Sequence, residues 1–243
     1  MMPLDLVSGK ESPISDQDTL SVDLKARKVG EIVAADYRRA RVMKQYGIEF
    51  CCGGGIPLEE ACRRKQVDVD EVLTAIEGLE RDPGGLTTQA AGWSNDLLIH
   101  YIEETHHGYV RQSLGALKQF TSKVARVHGD AVPALREIAE TFDTVAAEMQ
   151  EHMEYEENVL FPAIKTDPAS ASTLIERAED EHVVVGEAMQ KIRELSDDFT
   201  PPDWACATYR AAFTLLEEFE EDLHAHVHLE NNVLFARLDA SVN

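Results

Sequence analysis

Between Ser94 and about residue 240 the chain places an apolar residue at every third or fourth position along four long stretches, and no stretch alternates with a period of two. That pattern commits most of the chain to amphipathic helices, each with one stripe to bury. The first stripe runs Ile99, Ile102, His106, Val110, Ser113, Leu117, Phe120 and Val124. The second runs Leu135, Ile138, Phe142, Val145, Met149, His152, Glu156 and Val159. The third is Ile175, Ala178, His182, Val185, Met189, Ile192 and Ser196, and the fourth is Tyr209, Ala212, Leu216, Phe219, Leu223, His226, Glu230 and Val233. Pro133, Pro162, Pro168 and the Pro201–Pro202 pair punctuate the stretches. The expectation is an all-α protein: an up-down-up-down four-helix bundle over 94–240, preceded by a small helical region.

Each stripe is interrupted by one histidine, and two of them also by a glutamate. A single histidine on an apolar face is an ordinary core residue. Four, one per helix, would leave several buried donors and acceptors unsatisfied unless something common satisfied them. His152–Glu156 and His226–Glu230 are spaced i, i+4, one turn apart on one face. Each carboxylate can therefore reach a second metal ion while its imidazole holds the first. The predicted ligands are His106, His152, Glu156, His182, His226 and Glu230. Four imidazoles and two bridging carboxylates, with no thiolate, suit a non-haem di-iron or di-manganese centre better than structural zinc. His100, His107, His224 and His228 fall off the stripe and read as rim or solvated residues. Glu103–His106 and Glu179–His182 also have Glu-x-x-His spacing, but their glutamates lie beside the stripe and that reading leaves His152 and His226 unused. Glu217, Glu218, Glu220, Glu221 and Asp222 read as the outer face of the fourth helix.

Ahead of the bundle, residues 1–22 read as a polar, flexible arm, 23–82 as a small helical domain, and 83–93 as a breaker-rich linker. Helices are expected around 29–46, 57–65 and 70–80, the last capped by Asp68. Between the first two lies Tyr46-Gly-Ile-Glu-Phe-Cys51-Cys52-Gly-Gly-Gly-Ile-Pro57. Gly53, Gly54 and Gly55 allow positive φ and close backbone approach, and no Gly-Lys-Ser/Thr follows, so the turn is not a phosphate loop. Cys51 and Cys52 are the candidates for a redox or iron-transfer role. Cys62 and Cys206 read as helix packing.

With 45 acidic and 23 basic side chains, the formal net charge of −22 disfavours nucleic-acid and anionic-membrane partners. The polar N-terminus and the poor disulfide spacing of the cysteines predict a reducing, cytoplasmic setting.

The cysteine turn, Leu58-Glu-Glu-Ala-Cys62 and Val67-Asp-Val-Asp-Glu-Val72 resemble the ScdA-type N-terminal domain. Glu154-Tyr-Glu-Glu-Asn-Val-Leu-Phe-Pro162, Thr200-Pro-Pro-Asp-Trp-Ala-Cys206 and His228-Leu-Glu-Asn-Asn-Val-Leu-Phe235 resemble the hemerythrin-like domain of the iron–sulfur cluster repair di-iron proteins. The resemblance covers about residues 23–240. It implies iron-binding histidines at His106, His152, His182 and His226, bridging carboxylates at Glu156 and Glu230, and a cysteine pair at Cys51 and Cys52. Oxygen-carrying hemerythrins differ: a further histidine there corresponds to Gly186 here, and an aspartate to Asn231. The function implied is repair of clusters damaged by oxidative or nitrosative stress, with damaged iron–sulfur proteins as partners. Nitric oxide reduction at the iron pair, and oxygen or redox sensing, are the alternatives. A homodimer formed through the small domain is a further expectation.

Overall fold

Side chains cap the starts of two helices, through Asp68 and Ser94. The computed structural model describes residues 24–36, 38–51, 53–80, 90, 92–168 and 171–238. The expectations for the arm at 1–22, for Cys52 and for most of the 83–93 linker fall outside them. The small helices are α1 (Val29–Ala35), α2 (Arg39–Gln45), α3 (Leu58–Lys65) and α4 (Val69–Glu80). The sequence suggested one helix over 29–46; the chain instead breaks at Asp36, which is extended at φ −157°. Its carboxylate accepts from the Arg38 amide at 3.1 Å, a local bond that competes with continuing the helix. Asp68 caps α4 as expected, accepting from the Asp70 amide at 2.8 Å.

The bundle comprises α5 (Asn95–Tyr101), α6 (Gly108–His128), α7 (Ala134–Tyr155), α8 (Phe161–Thr166), α9 (Ser172–Leu195) and α10 (Ala207–Leu229). Ser94 starts α5 by accepting from the Leu97 amide at 3.2 Å. Helices α5 and α6 are one rod joined by a π turn at Ile102–His107. Helices α7 and α8 are joined the same way at Glu156–Leu160, and α10 runs into a third π turn at Glu230–Phe235. Pro162 thus lies inside a continuing rod, in the first turn of α8, and does not separate two segments. No helix among the described residues is long and apolar enough to cross a membrane.

The third and fourth stripes are buried at every counted position. The first two drift. In the first, Leu114 and Thr121 are buried where the count gave Ser113 and Phe120. In the second, Leu160 is fully buried whereas Val159 is 43% exposed.

Two apolar clusters result. One joins bundle residues such as Phe142, Leu216 and Phe219 to Val29, Ile32, Met43, Leu58 and Ile76 of the small helices. The other gathers Ile99, Ile102, Leu160, Phe161, Ala178, Leu234 and Phe235. Burying each such large side chain contributes about 1.5–3 kcal/mol, so the small helices are fastened to the bundle by core packing. Along every rod, the histidines and glutamates lie at or close to the junction of the two clusters.

Candidate metal centre

Six side chains from the four rods converge in that polar layer. His107 Nε2 lies 3.1 Å from His226 Nε2 and 3.2 Å from Glu156 Oε2. His152 Nε2 lies 3.0 Å from His182 Nε2 and 3.3 Å from Glu156 Oε2. His182 Nε2 is 3.1 Å from Glu230 Oε2, and His226 Nε2 is 2.9 Å from Glu230 Oε1. The donor atoms fall into two sets, His107–Glu156–His226–Glu230 and His152–Glu156–His182–Glu230, each with all its atoms within 4.8 Å of one another. Both carboxylates belong to both sets.

Three of the four rings are held from behind. The Nδ1 of His107 faces Glu157 at 2.7 Å, that of His152 faces Glu181 at 2.9 Å, and that of His182 faces the side-chain Oδ1 of Asn231 at 2.9 Å. Arg111 and Arg177 in turn bind Glu157 and Glu181. A carboxylate behind an imidazole fixes its tautomer, turns Nε2 inward and makes it a better ligand. Glu181→Gln keeps the shape but weakens the hold on His152; a loss of about 10–100-fold in metal affinity is expected. A competition titration with a chelator measures it, and an unchanged affinity would remove Glu181 from this role.

The layer fits a metal on its own chemistry. Both oxygens of Glu156 and Oε2 of Glu230 are buried without a hydrogen-bond partner, although imidazole nitrogens stand 3.1–3.3 Å away. Carboxylate oxygens and imidazole nitrogens that crowd together in this way, with the oxygens left unbonded, are a donor set for a cation placed between them. Burial and the neighbouring Glu230 push Glu156 up, but His152 and His107 outweigh them and hold its carboxyl below the ordinary range. Glu230 is likewise held well below it, by His226 and His182 against burial. Burial opposes charge on His152, yet Glu156 and Glu181 prevail and raise it to about 10; His107 is also raised, by Glu156 against burial. Burial keeps His226 on the neutral side. Protons on His107 and His152 can thus balance the two carboxylates, and a metal ion must compete with them, so binding strengthens as pH rises. The donor set is oxygen and nitrogen only, as iron or manganese prefers.

Of the residues expected from sequence, the structure brings together His152, Glu156, His182, His226 and Glu230. It does not bring His106 to them. His106 Nδ1 instead faces Asp222 at 2.9 Å, and its ring stacks on that of His226 with centroids 5.6 Å apart. His107, read from sequence as a rim residue, is fully buried and points into the layer. The cause is the π turn at Ile102–His107, where i→i+5 bonding adds one residue to the helical register. Counting back from Val124 through Thr121, Leu117, Leu114 and Val110 reaches His107 in a step of three. Steps of three and four are both helical, so the sequence pattern alone left the two neighbours unresolved. The outer partners Glu157, Glu181 and Asn231 carried no periodic signal. Two further residues depart from their expected places. Glu220 is buried against Arg193, whose Nε donates to it at 2.9 Å, and His228 is buried beside the Phe50 ring, centroids 5.9 Å apart. Glu103 and Glu179 lie outside both four-residue sets.

The cysteine turn is seated on the last rod close to this layer. Asn232, two residues past Glu230 in the π turn, donates its Nδ2 to the carbonyl oxygens of Phe50 and Cys51, both at 3.3 Å. Cys51 is buried, with its Sγ 4.0 Å from Glu49 Oε2. None of Gly53, Gly54 or Gly55 has positive φ; among the described glycines that conformation belongs to Gly47, at 63°. What Gly54 supplies is close approach: a Cβ there would collide with the Phe50 carbonyl and come within 3.0 Å of Gly30 Cα. Beside the turn, a cleft of about 1130 Å³ is lined by Cys51, Gly53 and Phe50 on one side and by His182, Leu223 and His224 on the other.

The sequence matches the family described as Hemerythrin HHE cation binding domain over residues 98–238. It matches ScdA_N, a domain of unknown function, over residues 25–80. It is similar to the iron-sulfur cluster repair protein YtfE of Yersinia pseudotuberculosis serotype O:1b, 34% identical over 220 residues, covering 89% of this chain and 98% of that protein. The iron-sulfur cluster repair protein ScdA of Staphylococcus haemolyticus is 35% identical over 213 residues, 85% of this chain and 95% of its own length. YtfE of Yersinia pestis (strain Pestoides F) is 33% identical over 220 residues, with 89% and 98% covered. A buried layer of imidazoles and carboxylates on four helices, a preceding small domain of the ScdA type and this likeness across nearly the full length agree: the chain belongs to the hemerythrin HHE cation-binding family, with the YtfE and ScdA repair proteins.

Proposed function

We propose that this chain is an iron–sulfur cluster repair protein that binds two iron ions and gives iron up to damaged clusters. His107 and His226 would hold one ion, His152 and His182 the other, and Glu156 and Glu230 would be shared. The observation that carries this reading is that both buried carboxylates belong to both four-residue sets. An iron pair there would supply exchangeable metal and one-electron chemistry. The protein's own part is to orient the rings through Glu157, Glu181 and Asn231 and to keep the layer between two apolar clusters, away from bulk water. The cleft beside His182 is also lined by Cys51, which supports a part for the Cys51 thiol on the route of an outgoing iron ion.

The reading is tested with a hydratase whose four-iron cluster has been damaged by nitric oxide. Iron-loaded protein is expected to restore activity several-fold over the same amount of free ferrous iron, and the Glu156→Ala variant is not. Recovery no better than free iron, together with steady conversion of nitric oxide to nitrous oxide, would overturn repair in favour of a reductase.

A further inference from the structure

Cys206 does not pack in the core, contrary to the expectation from sequence. It is exposed at the N-cap of α10. Its Sγ lies 3.4 Å from Nε2 of His128, the last residue of α6. The thiol therefore stands at the amide end of a 23-residue helix and the imidazole at the carbonyl end of a 21-residue one. These are the two positions where helix dipoles favour a negative and a positive charge respectively. His128 is held in place by aromatic neighbours, with ring centroids 5.7 Å from Trp204 and 5.6 Å from Tyr209. The pair lies one bundle-length from the histidine layer: the twenty helical steps from Cys206 to His226 rise by about 30 Å.

We propose that Cys206, paired with His128, is a reactive thiol that forms mixed disulfides with low-molecular-weight disulfides. The Cys206 proton passes to His128 Nε2. The thiolate attacks one sulfur of the small disulfide, a new S–S bond forms to Cys206, and the old S–S bond breaks. The Cys206 sulfur is oxidised, and the departing sulfur leaves reduced as a thiolate that takes up the proton. Exposure admits the reagent, and Trp204, itself 57% exposed beside the pair, offers it an apolar face. In support, the His128 contact and the backbone amides of Tyr209 and Thr208 hold the thiol below its ordinary pKa. Among the described residues, His128 is the titratable side chain that acts on it. Such a thiolate is both more abundant near neutral pH and accessible, the combination that makes a cysteine reactive. Cys62, by contrast, is buried, and burial raises its pKa.

The test uses the full-length, iron-loaded protein with glutathione disulfide at pH 6.5 and at pH 10, with each cysteine followed by mass spectrometry. At pH 6.5 Cys206 is expected to be modified about tenfold faster than a peptide spanning residues 200–210. His128→Gln should remove most of that advantage and move the pH–rate midpoint upward. At pH 10, where both thiols are ionised, the variant should react at least as fast as the parent, because a thiol of higher pKa is the better nucleophile. A variant slowed equally at both pH values would show that His128 only shapes the loop, and the proposal would fall. It would also fall if parent Cys206 reacted no faster than the peptide at pH 6.5.

Discussion

Glu230→Ala is expected to reduce bound iron from about two ions per chain to below about one, since the lost carboxylate belongs to both four-residue sets. Removing it also leaves the His182 and His226 nitrogens facing a buried gap. Metal analysis after anaerobic iron loading measures the loss, and circular dichroism checks that the bundle persists. A sharper comparison sets the two adjacent histidines against each other. His107→Ala should lose iron, because its Nε2 stands among the donors at 3.1–3.2 Å. His106→Ala should keep close to full iron, because His106 contacts Asp222 and the outside of the His226 ring. The reverse pattern would refute the ligand set built on His107.

Gly54→Ala is expected to cost about 3 kcal/mol and lower Tm by about 6–12 °C. The added methyl has no flexible neighbour to displace, since it meets the Phe50 carbonyl and the Gly30 backbone. It must therefore push the cysteine turn off the last rod, breaking the Gly30 N–H to Gly54 O bond of 2.8 Å and the Asn232 contacts to Phe50 and Cys51. Gly55→Ala is the control: nothing lies within 4 Å of its Cβ position and its φ is not positive, so a change within about 0.5 kcal/mol is expected. If the turn lies on the iron's route, Gly54→Ala should retain its iron yet reactivate the damaged hydratase more slowly. Equal melting of the two variants would show that the close approach carries no stability.

Much of this fold could be read from the sequence because helix stripes are regular wherever the helix is. The stripes through Ile175–Ser196 and Tyr209–Val233 were counted correctly throughout, and the second was correct as far as Glu156. Each stripe error falls within or beyond a π turn: His106 for His107, Ser113 for Leu114, Phe120 for Thr121, and Val159 for Leu160. A π turn is held by backbone bonds alone and leaves no compositional mark, so residue spacing does not announce it. The histidine–glutamate pairs were legible because their i, i+4 relation lies upstream of each turn. The partners behind the rings were not, because Glu157, Glu181 and Asn231 sit on polar faces where one carboxylate or amide looks like another. Cys206 was misread for a related reason: its partner His128 is 78 positions away in sequence.

A π turn amounts to one surplus residue stored in a helix, and the rod continues on both sides of it. If the turn at Ile102–His107 relaxed to ordinary α geometry, every side chain in that stretch would rotate by about one position. Most buried sites would then exchange a ligand for a hydrocarbon or a charge. Here the incoming residue would be His106, another imidazole. In that other winding, which a change of helix geometry and not the loss of the His107 side chain would produce, the tandem histidine would still offer the layer a nitrogen donor.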